Sequence, residues 1–132
     1  MASARFDSFN LRGKVALVTG GNGGLGKGIA LGLAQAGANV AVAARNQDKS
    51  AAAVAELEAV GVEAVSISCD VTNSAEVSAA VASCVERFGG LDIVVNNSGV
   101  NVRKLPQELS LEEWQTVVDV NLTGVFLMSQ AA

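Results

Sequence analysis

The chain of 132 residues has the length of one ordinary domain, and with 50% hydrophobic and 17% charged residues its composition excludes a disordered polypeptide. A net charge of −4 provides no basic surface for nucleic acid or anionic membranes. Residues 1–13 contain no apolar central region and no run approaches the ~18 apolar residues that cross a bilayer, so we expect neither a signal peptide nor a membrane span. Because the chain has no His, and Cys69 and Cys84 form no CxxC motif, we expect no metal site and two buried, reduced thiols in a cytoplasmic protein.

Strand-like and helix-like hydrophobic patterns alternate along the chain. Short runs rich in β-branched and small aliphatic residues predict strands at 15–19, 39–44, 63–69 and 91–95. Apolar residues at helical spacing predict helices from Leu25 to a stop at Gly37, at 47–60, at 77–88, at 110–118, and from about Asn121 onward. This alternation predicts a single α/β domain over 1–132, a Rossmann-type doubly wound parallel sheet with helices on both faces.

Local signals refine these elements. Ser110 and Glu113 have the spacing of a capping box, which predicts a helix start after the loop that contains Pro106. Leu25, Ile29 and Leu33 repeat at helical spacing in the first helix, and Trp114 is expected to pack on the core.

A glycine-rich loop joins the first predicted strand to the first predicted helix. Gly21, Gly23 and Gly26 have GxGxxG spacing, which lets backbone N–H groups and a helix N-terminus approach a pyrophosphate. Two other interpretations remain open. The segment also matches the front of a phosphate-binding P-loop, although Gly28 stands where that motif needs Ser or Thr. The second interpretation is a plain turn between strand and helix. So many glycines carry a cost in backbone entropy, however, and a plain turn does not require them.

The end of the second predicted strand bears on which nucleotide is bound. An NAD-selective site places Asp or Glu about 20 residues after the glycines, to accept from the ribose 2′-hydroxyl. Ala44 stands near this position, and Arg45 next to it can pair with a 2′-phosphate. The sequence therefore favours NADP over NAD, with a solvated loop charge as the alternative for Arg45.

Four ordered motifs resemble those of the short-chain dehydrogenase/reductase family. Thr19-Gly20-x-x-x-Gly24-Leu25-Gly26 resembles TGxxxGxG, and 96–99 (Asn-Asn-Ser-Gly) resembles NNAG, with Ser98 in place of Ala. The pair at 70–71 (Asp-Val) resembles the pair that contacts adenine, and Asn121 aligns with the Asn that supports the proton relay. The resemblance implies hydride transfer between a nicotinamide and a small alcohol or carbonyl substrate, in a protein that forms homo-oligomers.

The predicted cofactor site combines the motifs with the end of the second strand. It consists of Gly20, Asn22, Gly23, Gly24, Leu25, Gly26, Arg45, Asn46, Asp70, Val71, Asn97, Ser98, Gly99 and Val120, with Asn121 as the one catalytic position. Of the two neighbouring asparagines, the resemblance assigns the first, Asn96, to backbone groups between strands and leaves Asn97 for the cofactor.

The family's acid/base tyrosine is absent, because the chain contains no Tyr and therefore no YxxxK motif. We thus expect the cofactor-binding half of an oxidoreductase, truncated after the fourth strand and its following helices and inactive alone. A helix carrying Phe126 and a bare edge at the fourth strand predict aggregation or reliance on a partner. A non-catalytic nucleotide-binding or subunit-completing module is the alternative function. The substrate stays open among sugars, sugar acids, steroids and oxoacyl thioesters.

Overall fold

A four-stranded parallel sheet forms the centre of the computed structural model, which describes residues 7–132. The strands are β1 (Val15–Thr19), β2 (Asn39–Ala44), β3 (Ala64–Ser68) and β4 (Ile93–Val95). They lie in the order β3-β2-β1-β4, so β1 is central and pairs with both β2 and β4. The predicted strands are confirmed, and only the third and fourth are shorter than expected.

Helices alternate with the strands as predicted. They are α1 (Gly24–Gln35), α2 (Gln47–Glu58), α3 (Ser74–Phe88), α4 (Leu111–Val118) and α5 (Gly124–Ala131). Asn46 and Asn73 cap α2 and α3, because each side chain accepts backbone N–H bonds from the first turn. The capping box of Ser110 and Glu113 at the start of α4 is present in both directions.

The sheet buries a separate hydrophobic cluster on each face. On one face, Val18 and Val42 pack with Ala30 of α1 and Leu57 of α2. On the other face, Leu17 belongs to a cluster built from α3 and α5; its other members include Ala41, Val77, Cys84 and Met128. Since consecutive strand residues point to opposite faces, this division confirms the doubly wound arrangement. Both cysteines are free and buried, as predicted.

The expected packing of Trp114 on the core is wrong, and α1 buries its small residues rather than Leu25. Leu25 is 77% exposed, because α1 turns the small residues Gly26, Ala30 and Ala34 toward the sheet. Small side chains allow the close approach of helix and sheet that Leu25 would prevent. Trp114 is 56% exposed and does not pack in the core.

The predicted start of a new helix near Asn121 is also wrong. The chain passes from α4 into α5 through a π-helical turn, Asp119–Thr123, with helical backbone throughout. The turn inserts one residue into the helical ladder without ending the helix. Within the predicted loop 96–109, Pro106–Glu108 form a 3-10 turn. In the part of the chain that the structure describes, no helix is both long and apolar enough to span a membrane.

Candidate functional site

A cavity of about 740 Å³ opens at the carboxyl ends of the strands, where ligands bind in open α/β sheets. Loops after all four strands contribute to it, together with the turn between α4 and α5. Its lining consists of Gly20, Asn22, Gly23, Ala44, Arg45, Asn46, Lys49, Cys69, Asp70, Val71, Asn97, Ser98, Gly99, Val100 and Val120.

The glycine loop packs against β1 and β4 too closely for larger residues. A Cβ atom at Gly26 would overlap the carbonyl oxygen of Gly20 and the side-chain nitrogen of Asn97. Gly20 has φ of +62°, and a Cβ there would lie 2.9 Å from the same nitrogen. The first turn of α1 therefore starts directly over the end of β1, with its N-terminus at the cavity.

Asn97 joins the glycine loop to the loop after β4. Its Nδ2 donates to the carbonyl oxygens of Thr19 (3.1 Å) and Gly20 (3.2 Å). The Thr19 hydroxyl accepts from the backbone N–H groups of Asn97 and Ser98, each at 3.0 Å. Asn96 is exposed and donates to Ser129 Oγ instead. The expectation that Asn96 bridges backbone groups between strands is therefore wrong, because Asn97 does so while also lining the cavity.

Asn22 connects the glycine loop to the start of α2 by hydrogen bonds. Its Nδ2 donates to the carbonyl oxygen of Asn46 at 3.3 Å and to Ser50 Oγ at 3.1 Å. Ser50 is fully buried and donates to the same Asn46 oxygen at 2.9 Å. Asn46 Oδ1 meanwhile accepts the backbone N–H of Lys49 at 3.0 Å. This network holds the loop after β2 in place beside the glycine loop.

The charged lining of the cavity consists of Arg45, Lys49 and Asp70. Asp70 accepts from the backbone N–H of Thr72 at 2.9 Å and from its hydroxyl at 2.7 Å. These bonds, with a smaller contribution from the nearby Arg45 charge, lower the pKa of Asp70 below its ordinary value. Asp70 is thus held as a carboxylate that faces a guanidinium in the same cavity.

Asn121 binds the loop after β4, which lines one side of the cavity. Its Oδ1 accepts from the backbone N–H of Val100 at 2.8 Å, and its Nδ2 donates to the Val100 carbonyl at 2.9 Å. Asn121 lies in the π-helical turn that interrupts the α4–α5 ladder, and turns of this kind are frequent at functional sites. Its side chain acts here on the backbone of the loop that carries Gly99 and Val100.

Most of the predicted cofactor residues are brought together around the cavity. The exceptions are Gly24, Leu25 and Gly26, which lie in the first turn of α1 behind the lining. Sequence reasoning missed Lys49, Cys69 and Val100, which line the cavity, and Thr19, which braces it. The position of Thr19 before the first glycine was a usable signal. No sequence signal pointed to Lys49, because it contacts the glycine loop from a part of the chain that is distant in sequence.

These features fit a dinucleotide. The glycines allow a ligand to approach the N-terminus of α1 closely. A basic side chain follows β2, and polar groups follow β3 and β4. Together with the sheet order they define a nucleotide-binding α/β domain.

The sequence profile of the short chain dehydrogenase family matches residues 14–132, and the chain belongs to that family. It is 42% identical over 125 residues to glucose 1-dehydrogenase 2 of Bacillus subtilis, covering 93% of this chain and 48% of that protein. It is also 42% identical over 122 residues to a 3-oxoacyl-[acyl-carrier-protein] reductase of Synechocystis, covering 92% of this chain and 49% of the reductase.

Solved structures agree with this assignment. A short-chain type dehydrogenase/reductase from Mycobacterium marinum superposes with a TM-score of 0.94 at 43% identity, over 98% of this chain and 53% of the other. A short chain dehydrogenase from Burkholderia cenocepacia in complex with NADP gives 0.88 at 41% identity, over 93% and 51%. The chain therefore spans about half the length of the relatives that it matches.

Proposed function

We propose that this chain binds NADP(H), as the cofactor-binding half of an oxidoreductase that acts on a small alcohol or carbonyl substrate. The observation that carries the proposal is the end of β2, where Arg45 lines the cavity and Ala44 occupies the place of an NAD-selective carboxylate. A guanidinium can hold a 2′-phosphate with two charge-assisted hydrogen bonds, whereas a ribose hydroxyl offers it no charge. The related Burkholderia dehydrogenase in complex with NADP supports this choice.

The remaining lining residues fit the rest of a dinucleotide. Asp70 and Val71, which line the cavity after β3, would contact the adenine, and the glycine loop would contact the pyrophosphate. Asn97, Ser98 and Gly99 after β4, with Val120 opposite, extend the site toward the nicotinamide end. When bound, the cofactor would supply the hydride chemistry, and these residues would hold and orient it.

Asn121 is a positioning residue in this proposal. Both polar atoms of its side chain are engaged by the Val100 backbone, so it fixes the loop that borders the nicotinamide end. The family's Tyr and Lys, which handle the proton, have no counterpart in a chain without Tyr. Turnover consequently requires an acid/base that these 132 residues do not supply, and general acid–base catalysis is typically worth about 10²–10⁴-fold in rate.

Arg45→Asp tests the cofactor assignment. We expect it to weaken NADPH binding by at least about ten-fold, because a charge-assisted pair is replaced by repulsion, and to leave NADH binding nearly unchanged. Titration of the nicotinamide fluorescence measures both affinities. Arg12→Asp is the matched control, since Arg12 is exposed and lies outside the cavity. Equal losses for the two cofactors would refute the NADP preference.

The exposed apolar side chains of Trp114 and Phe126 fit a second candidate, a nucleotide-binding module that completes another subunit without catalysing a reaction itself. The two candidates predict different gene sequences downstream of Ala132. An oxidoreductase requires a downstream Ser and a YxxxK motif, and the complete protein would then oxidise NADPH with a carbonyl substrate as a cytoplasmic homo-oligomer. A stop codon there, with stable protein that binds NADPH without turnover, would favour the module.

A further inference from the structure

Lys49 lies across the cavity mouth beside the glycine loop. A Cβ atom at Gly23 would lie 2.5 Å from the Lys49 Nζ and 2.6 Å from its Cε. The lysine therefore extends from the first turn of α2 over Gly23, and its ammonium group covers the backbone where the glycine loop enters α1. The network around Asn22 and Asn46 fixes the two segments that this side chain connects.

The ammonium group of Lys49 has no carboxylate partner among residues 8–132, the range whose side chains the structure describes. Most other basic side chains in that range are paired; the pairs are Lys14–Asp92, Lys27–Glu56, Arg87–Glu63 and Lys104–Glu113. Arg12, Arg45 and Arg103 also lack an ion pair there, but only Arg45 of these lines the cavity, and its charge acts on Asp70. Of the three charged residues in the lining, Arg45 and Asp70 offset each other, so Lys49 provides the net positive charge of the cavity.

A phosphate placed near Arg45 is a dianion that one guanidinium, already facing a carboxylate, neutralises only in part. A flexible ammonium with three donors can reach such a group from the side, while the planar guanidinium binds it edge-on. Among the described residues, Lys49 is the one other cation in the cavity lining.

We propose that Lys49 is a second ligand of the phosphate that distinguishes NADP from NAD, closing over it from α2 while Arg45 holds it from the end of β2. The proposal rests on the NADP preference argued above, and it assigns to Lys49 a specificity role rather than that of a solvated helix residue. It also gives Gly23 a second function, since a side chain there would push the ammonium group away from its present position.

The test compares 2′,5′-ADP with 5′-AMP, which differ only in the 2′-phosphate, by calorimetric titration of the 132-residue chain. We expect wild-type protein to bind 2′,5′-ADP more tightly. Lys49→Gln should weaken 2′,5′-ADP binding about ten-fold, as expected for one charge-assisted hydrogen bond, with little effect on 5′-AMP. Lys49→Arg should retain most of the preference, and Lys14→Gln, which removes an equal charge outside the cavity, should retain all of it.

Gly23→Ala provides an independent arm. Gly23 has extended backbone (φ −170°, ψ 168°) that alanine adopts without strain, so the expected consequence is displacement of the lysine. It should reduce the preference for 2′,5′-ADP in the wild-type background but not in Lys49→Gln, as a double-mutant cycle would reveal.

The outcomes separate the two proposals. If wild-type protein binds both ligands equally, the NADP preference fails and the role of Lys49 fails with it. If wild type prefers 2′,5′-ADP, Arg45→Gln abolishes the preference and Lys49→Gln does not, the NADP proposal stands and the role of Lys49 is refuted. Equal weakening of both ligands by Lys49→Gln would also refute it, because Lys49 would then act on the nucleotide as a whole.

Discussion

Thr19 and Asn97 are bound to each other twice, through the Thr19 hydroxyl and the Asn97 side-chain amide. The hydroxyl also donates to the Val95 carbonyl at 3.3 Å and accepts from Ser98 N–H. Because Thr19 is 1% exposed, these bonds take the place of water. The pair thus fixes the distance between the glycine loop and the loop after β4, which are two walls of the cavity.

Thr19→Val removes this hydroxyl with almost no change in shape. The backbone N–H of Ser98 loses its acceptor, and that of Asn97 keeps only the Val95 carbonyl, so we expect the free energy of unfolding to fall by about 1–3 kcal/mol. Urea denaturation followed by far-UV circular dichroism measures the change. Thr19→Ser keeps the hydroxyl and should lose less. A valine variant as stable as wild type would show that water replaces the bonds.

The buried thiols should resist modification in the folded protein. Burial, with the nearby charges of Glu76 and Asp70, raises the pKa of Cys69 to about 11, and burial raises the pKa of Cys84. At pH 8 little thiolate is present, so we expect slow reaction with Ellman's reagent, and rapid reaction of both thiols in guanidinium chloride. Fast labelling of native Cys84→Ala, in which Cys69 is the only thiol, would contradict this.

Asp70 should contribute pH-dependent stability. Its folded-state pKa is depressed, mainly by the two hydrogen bonds from Thr72, so its ionised form is favoured in the folded protein. That contribution is complete above the ordinary titration range of aspartate, at about pH 5 and higher, and is lost as the pH falls through the folded-state pKa. The stability difference between wild type and Asp70→Asn should therefore shrink on acidification, measured by urea denaturation between pH 7 and pH 3. A difference that grows at low pH would contradict the assignment.

Elements of this fold that depend on neighbouring residues in sequence were predictable. The strand at 15–19, the capping box of Ser110 and the glycine loop are each encoded within a few residues, by β-branched runs, side-chain caps and the need for close backbone approach. The alternation of strands and helices along the chain was then sufficient to predict the doubly wound parallel sheet. The same local signals brought most of the predicted cofactor residues to one cavity.

The wrong prediction for Trp114 concerns which face of a helix packs inward. Hydrophobic spacing gives the period of a helix, but the choice between Leu25 and Gly26 depends on how closely the opposing surface approaches. The uninterrupted helix through Asp119–Thr123 could likewise not be predicted, because no glycine, proline or capping residue in this segment marks a π-helical turn. Lys49 reaches Gly23 from another element, so only the folded chain reveals the contact.

Large apolar side chains remain exposed along the last two helices. Leu111 is 80% exposed, Trp114 56%, Leu122 67% and Phe126 59%, while Met128 is fully buried against the sheet. Exposed apolar surface of this kind favours association, so we expect the chain to self-associate at micromolar concentration. Replacing Leu122 and Phe126 together by Glu should shift sedimentation-velocity profiles toward monomer with little change in thermal midpoint, since neither side chain is buried.

Met128→Glu is the matched control for that experiment. It places one carboxylate on α5, as Phe126→Glu does, but inside the cluster formed with Leu17 and Cys84, where an unpaired carboxylate is strongly unfavourable. We therefore expect it to lower the thermal midpoint sharply or to abolish folding, rather than to improve solubility. If the double variant loses as much stability as Met128→Glu, then Leu122 and Phe126 contribute to the folded chain itself, and their exposure is not what drives association.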